Sequence, residues 1–223
     1  INESEFFELC EGFDQAGALI LSQYLHDIGV ILHFQNDPVL KNTVIINPEW
    51  GTDAVYKVIE TPSVMQNYGR FTKDDLAKIW SDESYLRKYD ELLQLMMKFR
   101  LCYEIPQEKG KYILPQLLPF QPQSYEWDSE ENIVVQYRYD YLLKSFMFRF
   151  IVAMHEMIDD HQNNVWRNGV VLADWNARAE ITANEKKRQI TIKVAGSFTR
   201  ELLGAIMIAF KKIHREFPKM QVE

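Results

Sequence analysis

Leu114-Pro115-Gln116-Leu117-Leu118-Pro119-Phe120-Gln121-Pro122-Gln123-Ser124 lies at the middle of a 223-residue chain and divides it. Each proline fixes its own φ and lacks an amide hydrogen, so three within eight residues forbid a continuous helix or a central strand. The run therefore predicts a boundary, with one subdomain over 1–122 and another over 123–223. Charge changes at the same point. Of 32 acidic and 25 basic residues, 18 acids and 11 bases precede Gln123, leaving 14 of each after it. All of the net charge of −7 belongs to the first segment, and the second is neutral.

Working upstream, Ala16 to Ile28 sets Leu19, Ile20, Tyr24, Leu25 and Ile28 on a helical stripe that stops at Gly29. Val30 to Phe34 and Thr43 to Ile46 read as paired strands about the Asn36-Asp37-Pro38 turn. Asn47-Pro48-Glu49-Trp50 opens a short helix, with Pro48 suited to a first turn. Thr72-Lys73-Asp74-Asp75 has capping-box spacing and starts another, through Trp80. Tyr85, Tyr89, Leu92, Met96 and Phe99 recur at steps of four and three, which predicts one long amphipathic helix. Strands at 101–105 and 112–114, joined by Gln107-Glu108-Lys109-Gly110, then make a two-stranded wing. The first subdomain is expected to be mostly helical and winged-helix-like.

Downstream, a strand at 132–139, a helix over 146–158 and β-rich runs at 169–175, 179–184 and 189–194 precede a helix over 199–217. Ile181, Ala183, Ile190, Ile192 and Val194 alternate with polar residues, as an antiparallel sheet packed on one face requires. The chain is expected to be α+β. A chain of this length buries roughly 70% of its unfolded surface, so it needs no staples. Two cysteines form no disulfide framework, no export leader is visible, and a cytoplasmic location is the default expectation. No apolar run is long enough to span a membrane.

A phosphate-binding loop needs glycines that bring backbone amides onto phosphate and a lysine that reaches it; the only Gly-Lys pair, Gly110-Lys111, lacks the flanking glycine and hydroxyl. In the run from His155 to His161 the second histidine falls at i+6, off the face of the first, and only Asp159 is well placed for a shared metal. Cys10 lies among Glu8, Glu11 and Asp14, which disfavours a thiolate, and Cys102 alternates within a strand as a packing residue. No catalytic, cofactor-binding or metal constellation is expected. Aromatic residues are abundant, and Trp166, Trp175, Phe146, Phe148 and Tyr125 fall at element ends or in loops, where interfaces concentrate them. A nucleic-acid reading rests on the wing and on a recognition helix over 84–99 carrying Arg87, Lys88 and Lys98. The acidity of the segment opposes it, because phosphate neutralisation supplies most of that affinity.

The run Tyr24-Leu25-His26-Asp27-Ile28-Gly29-Val30-Ile31-Leu32-His33-Phe34, followed by Val44-Ile45-Ile46-Asn47-Pro48-Glu49-Trp50, resembles the COR domain of Roco proteins, the segment C-terminal to a Ras-like Roc GTPase. Lys111-Tyr112-Ile113-Leu114-Pro115 and Trp166-Arg167-Asn168-Gly169-Val170-Val171-Leu172 resemble it too. Its compactness is closer to prokaryotic Roco proteins than to the leucine-rich repeat kinases that share the module. The resemblance implies a regulatory module, a first subdomain facing the Roc GTPase and a second that forms a homodimer coupled to the nucleotide state. GTP or GDP and Mg²⁺ would belong to the Roc domain, which this sequence lacks. Tyr112 would face the GTPase; Phe146, Arg149 and Glu156 are the residues assigned to the dimer contact.

Overall fold

The computed structural model describes residues 1–122, 125, 127, 132–174 and 176–220. Two compact units are present, each discontinuous in sequence: Ile1–Val64 with Lys73–Phe99, and Met65–Thr72 with Arg100–Glu223.

The first unit is mostly helical. Helix α1 (Glu3–Leu9) starts at a reciprocal cap: Glu5 N–H donates to Asn2 Oδ1 at 2.7 Å and Asn2 N–H to Glu5 Oε2 at 2.9 Å. Helix α2 (Gln15–Asp27) is capped by Asp14, which accepts from Gly17 N–H. Its inward side is Ala18 and Ser22, flanked by Leu21 and Leu25. Ile20, Tyr24 and Ile28 are 72%, 60% and 54% exposed, so three of the five residues of the expected apolar stripe face outward. Ser22 holds that register, since its hydroxyl meets Nδ1 of the buried His33 at 2.9 Å. Strands β1 (Leu32–His33) and β2 (Val44–Ile45) pair antiparallel but are two residues long. The chain leaves the ladder at Asp37, whose Oδ1 accepts from the amides of Val39 and Leu40.

Helices α3 (Pro48–Glu60), α4 (Pro62–Gln66), α5 (Lys73–Ile79) and α6 (Tyr89–Lys98) follow. The single helix expected from Tyr85 to Phe99 is broken. Glu83–Tyr85 is a 3₁₀ turn and Arg87 has φ +66°. Tyr85 stacks on Trp50 at 5.5 Å, a contact that takes it off the α6 stripe. Gly51 in α3 sits where a Cβ would lie 3.0 Å from Leu95, which lets α3 and α6 approach.

The second unit opens with β3 (Arg70–Thr72), a strand absent from the sequence reading. It pairs with β5 (Lys111–Ile113), which also pairs with β4 (Tyr103–Glu104), giving the order β3-β5-β4. Gly69, at φ +81°, admits the close pass: a Cβ there would lie 2.5 Å from Leu114 O. The wing strands therefore pack with the residues after 122, although the proline run places them before the boundary.

A five-stranded antiparallel sheet follows, in the order β6-β10-β9-β8-β7. Its strands are β6 (Ile133–Arg138), β7 (Val165–Trp166), β8 (Gly169–Asp174), β9 (Ala177–Asn184) and β10 (Gln189–Gly196). The pairings Ile192↔Val135 and Ile192↔Ile181 fix a register that sends Ala179, Ile181, Ile190, Ile192 and Val194 to one dry face. Helix α7 (Lys144–Ala153) and α9 (Thr199–Glu216) contribute to the same core. Phe210 of α9 meets Phe146 and Phe150 of α7 edge-on, at 5.1 and 4.8 Å. The helix expected over 146–158 stops at Ala153. A 3₁₀ turn (His155–Met157) and a single turn, α8 (Asp159–Gln162), follow, with Asp160, His161 and Gln162 at positive φ. Those φ values end helical continuation. Strands and helices segregated in this way define an α+β protein.

Candidate functional site

Tyr112 lies on β5 opposite Phe71 of β3, and the two rings stack at 5.4 Å. Its residue exposure is 3%, and its hydroxyl donates to Glu104 Oε1 at 3.3 Å, an oxygen that also accepts from Gly110 N–H at 2.7 Å. Glu104 thereby ties the strand to the turn that precedes it. The ring is part of the three-stranded sheet, and the exposed neighbour on its strand is Lys111, paired with Glu108 at 2.7 Å.

Of the three residues assigned to the dimer contact, Phe146 is corrected by its burial. It is 0% exposed, packed against Tyr139, Phe210 and His214, and has no surface to offer a partner. The apolar spacing that singled it out is that of a core helix. Arg149 lies half-exposed on α7, paired with Glu216 and set over the Phe217 ring at 5.1 Å. Glu216 also pairs with Arg100 at 2.7 Å, so a carboxylate on α9 anchors two guanidinium groups. Glu156 is exposed on the 3₁₀ turn after α7.

His155 and Asp159 do not converge. Asp159 Oδ2 accepts from Arg178 Nη2 at 2.6 Å, Arg178 Nε at 3.1 Å and Asn164 Nδ2 at 3.1 Å, while His155 Nδ1 meets Val152 O at 2.8 Å. Among the described residues no group of three His, Cys, Asp or Glu is placed to hold a metal. Both cysteines are buried free thiols, and burial pushes Cys102 far above the ordinary thiol range. The recognition helix offered to nucleic acid has two of its three cations engaged: Lys88 with Glu91 at 3.1 Å and Lys98 with Asp37 at 3.2 Å.

The aromatics split by role. Trp166 is 5% exposed, and its indole lies where a Cβ on Gly169 would come within 2.3 Å. Tyr125 stacks on Trp166 at 6.0 Å and donates to Glu180; burial and that bond raise its hydroxyl pKa. Phe120 lies under the Arg167 guanidinium at 3.9 Å, and Arg167 N–H donates to Pro119 O at 2.8 Å. Pro119, Phe120 and Tyr125 are thus pinned to β7, the β7–β8 turn and β9. Trp175 lies outside the described residues. Sequence reading missed the Glu180 partner, because a strand carboxylate announces nothing until another segment crosses it.

The described surface thus carries an exposed apolar stripe on α2, an ion-pair network joining α7 and α9, and aromatics clamped on a sheet. No helix among the described residues is long and apolar enough to cross a membrane. Residues 1–118 match the family model described as C-terminal of Roc, COR-A domain, and residues 130–223 that described as C-terminal of Roc, COR-B domain. The chain belongs to the COR domains of Roco proteins.

It is 28% identical over 200 residues to a Roc-COR-CHAT protease of Runella zeae, covering 87% of this chain and 21% of that protein. It is 25% identical over 221 residues to the probable serine/threonine-protein kinase pats1 of Dictyostelium discoideum, covering 92% of this chain and 7% of the kinase. The solved structure of Methanosarcina barkeri Roco2 RocCORdC bound to GDP aligns with 53% of this chain and 38% of that one, at 31% identity and a TM-score of 0.46. The chain thus spans about a fifth or less of the length of these two relatives.

Proposed function

We propose that this chain is a non-catalytic dimerisation and regulatory module that couples homodimerisation to the nucleotide state of an adjacent Roc GTPase domain in a cytoplasmic Roco protein. The observation that carries the reading is the match to COR-A and COR-B in succession, a pair named for its place after Roc. GTP or GDP and Mg²⁺ would be held by the Roc domain, and hydrolysis would be its activity. The uncovered stripe of Ile20, Tyr24 and Ile28 supports a protein partner for the first unit, since soluble monomers seldom leave such a face bare. Tyr112, 3% exposed and part of the second unit, would act on the Roc contact only indirectly, by holding the β5 strand and its turn in shape. Arg149 and Glu156 are the dimer-contact candidates that remain at the surface.

Sedimentation velocity over a broad concentration range tests the first claim: a concentration-dependent dimer is expected, weakened by Glu156→Lys at unchanged melting temperature. A monomer at high micromolar concentration overturns it. For the Roc contact, Ile20→Asp with Tyr24→Asp is expected to weaken binding of the separately expressed Roc domain at least tenfold. Unchanged affinity removes α2 from the interface.

A further inference from the structure

The sheet of the second unit ends on β6, six residues in unbroken register with β10 on one side and with no strand on the other among the described residues. Edge strands of this length are ordinarily blunted by proline, a bulge or inward charge, because their free amides and carbonyls template another strand. Ile133-Val134-Val135-Gln136-Tyr137-Arg138 has none of the first two and a single charge at its end.

The register places Ile133, Val135 and Tyr137 on the face that carries Val194, Ile192 and Ile190, the face covered by α9. Beside that edge α9 is bare. Met207 and Ile208 are 45% and 59% exposed, and together with Tyr137, Phe210, Lys211, His214 and Arg215 they line a groove of about 510 Å³. An added strand would drop alternate side chains into this groove. Met207, Lys211 and Arg215 are four residues apart, about 6 Å along a helix per step, close to the ~6.7 Å between alternate residues of a strand. Apolar surface at Met207 and Ile208 thus gives way to two cations at matching intervals. Lys211 and Arg215 enter no ion pair among the described residues, so both charges are available to a partner.

We propose that the β6 edge and the α9 groove form a docking site for an extended segment of a partner protein that alternates apolar and acidic residues and adds to the sheet as a sixth strand. Backbone pairing with β6 supplies affinity, and the cations select acidic side chains on the α9 side. The site uses residues separate from the Arg149 and Glu156 contact, so the two readings stand or fall apart.

A fluorescein-labelled eight-residue peptide alternating Val and Glu, titrated against the whole chain by anisotropy, is the test, with its Val and Lys counterpart as comparison. Binding of the acidic peptide alone is expected, weakening with salt and losing at least tenfold in Lys211→Glu with Arg215→Glu. Lys109→Glu on the β4–β5 turn, which belongs to the other sheet of the unit, leaves it unchanged. Hydrogen exchange is expected to slow across 133–138 on peptide addition. Absent binding, equal binding of the lysine peptide, or binding without protection of 133–138 overturns the proposal. So does protection of 133–138 that rises with protein concentration alone, which assigns the edge to a second copy.

Discussion

Replacing Phe146 with alanine removes a ring with no exposed surface that meets Phe210 at 5.1 Å, His214 at 5.1 Å and Tyr139 at 6.0 Å. Truncating a fully buried phenylalanine costs about 3–5 kcal/mol, the transfer term plus the cavity left when neighbours relax only in part. The upper half of that range fits, because Phe210 is also packed edge-on against Phe150, which restrains it from following the vacated volume. In a chain of 150–250 residues each kcal/mol lowers the melting temperature by about 2–4 °C, so a drop of about 8–20 °C is expected. The assay is urea unfolding followed by near-ultraviolet dichroism, paired with sedimentation of the variant below its new transition. If the fall is under about 1 kcal/mol and the dimer is nevertheless lost, Phe146 is a direct contact and its assignment to the core is refuted. If stability falls as expected while the folded fraction still dimerises, the ring supports the module only from within.

Gly169→Ala places a methyl within 2.3 Å of the Trp166 indole and 2.8 Å of Ile181 O, and overpacking of that kind costs about 1–3 kcal/mol; a urea midpoint unchanged from wild type would contradict it. At Asp37, burial acts to raise the carboxyl pKa, but hydrogen bonds from Leu40, Gln94, Val39 and Lys98 outweigh it and leave it below the ordinary 3.8. The folded state then binds its proton less readily than the unfolded state, so this stability is present above about pH 4 and is lost as pH falls through the lowered value. Asp37→Asn is expected to flatten the acid limb of the stability curve, and parallel wild-type and variant curves would refute the assignment. Tyr125→Phe removes the donor to one oxygen of Glu180, whose other oxygen stays paired with Lys193 at 2.7 Å, and is expected to cost about 0.5–1.5 kcal/mol, with faster proteolysis near Tyr125; an unchanged cleavage rate would show that the bond does not hold the segment.

Local rules reached far in the second unit. The alternation of Ile181, Ile190, Ile192 and Val194 predicts strands, and β9, β10 and α9 lie within about two residues of the expected bounds. They succeed there because a sheet buried on one face writes its period directly into the chain. The short elements were less legible. Capping at Asn2 and Glu5 was present in the sequence and would have found α1, whereas β3 is three residues with no period to detect. The break at Arg87 arises because Tyr85 is drawn to Trp50, a partner 35 positions away that no helical spacing encodes.

Composition, periodicity and the long Tyr24 to Phe34 motif were enough to establish the α+β class, the family and the want of a phosphate-binding loop, since each depends on residues close in sequence. Which side of a helix is wet was decided only by tertiary packing. Ile20, Tyr24 and Phe146 are all apolar residues on helical stripes, yet two lie bare and one has no exposed surface. Burial is set by what crosses a face, and the crossing segments come from distant parts of the chain. The same holds at β6, where the open edge and the cations beside it exist only because α9 returns over the sheet some seventy residues later.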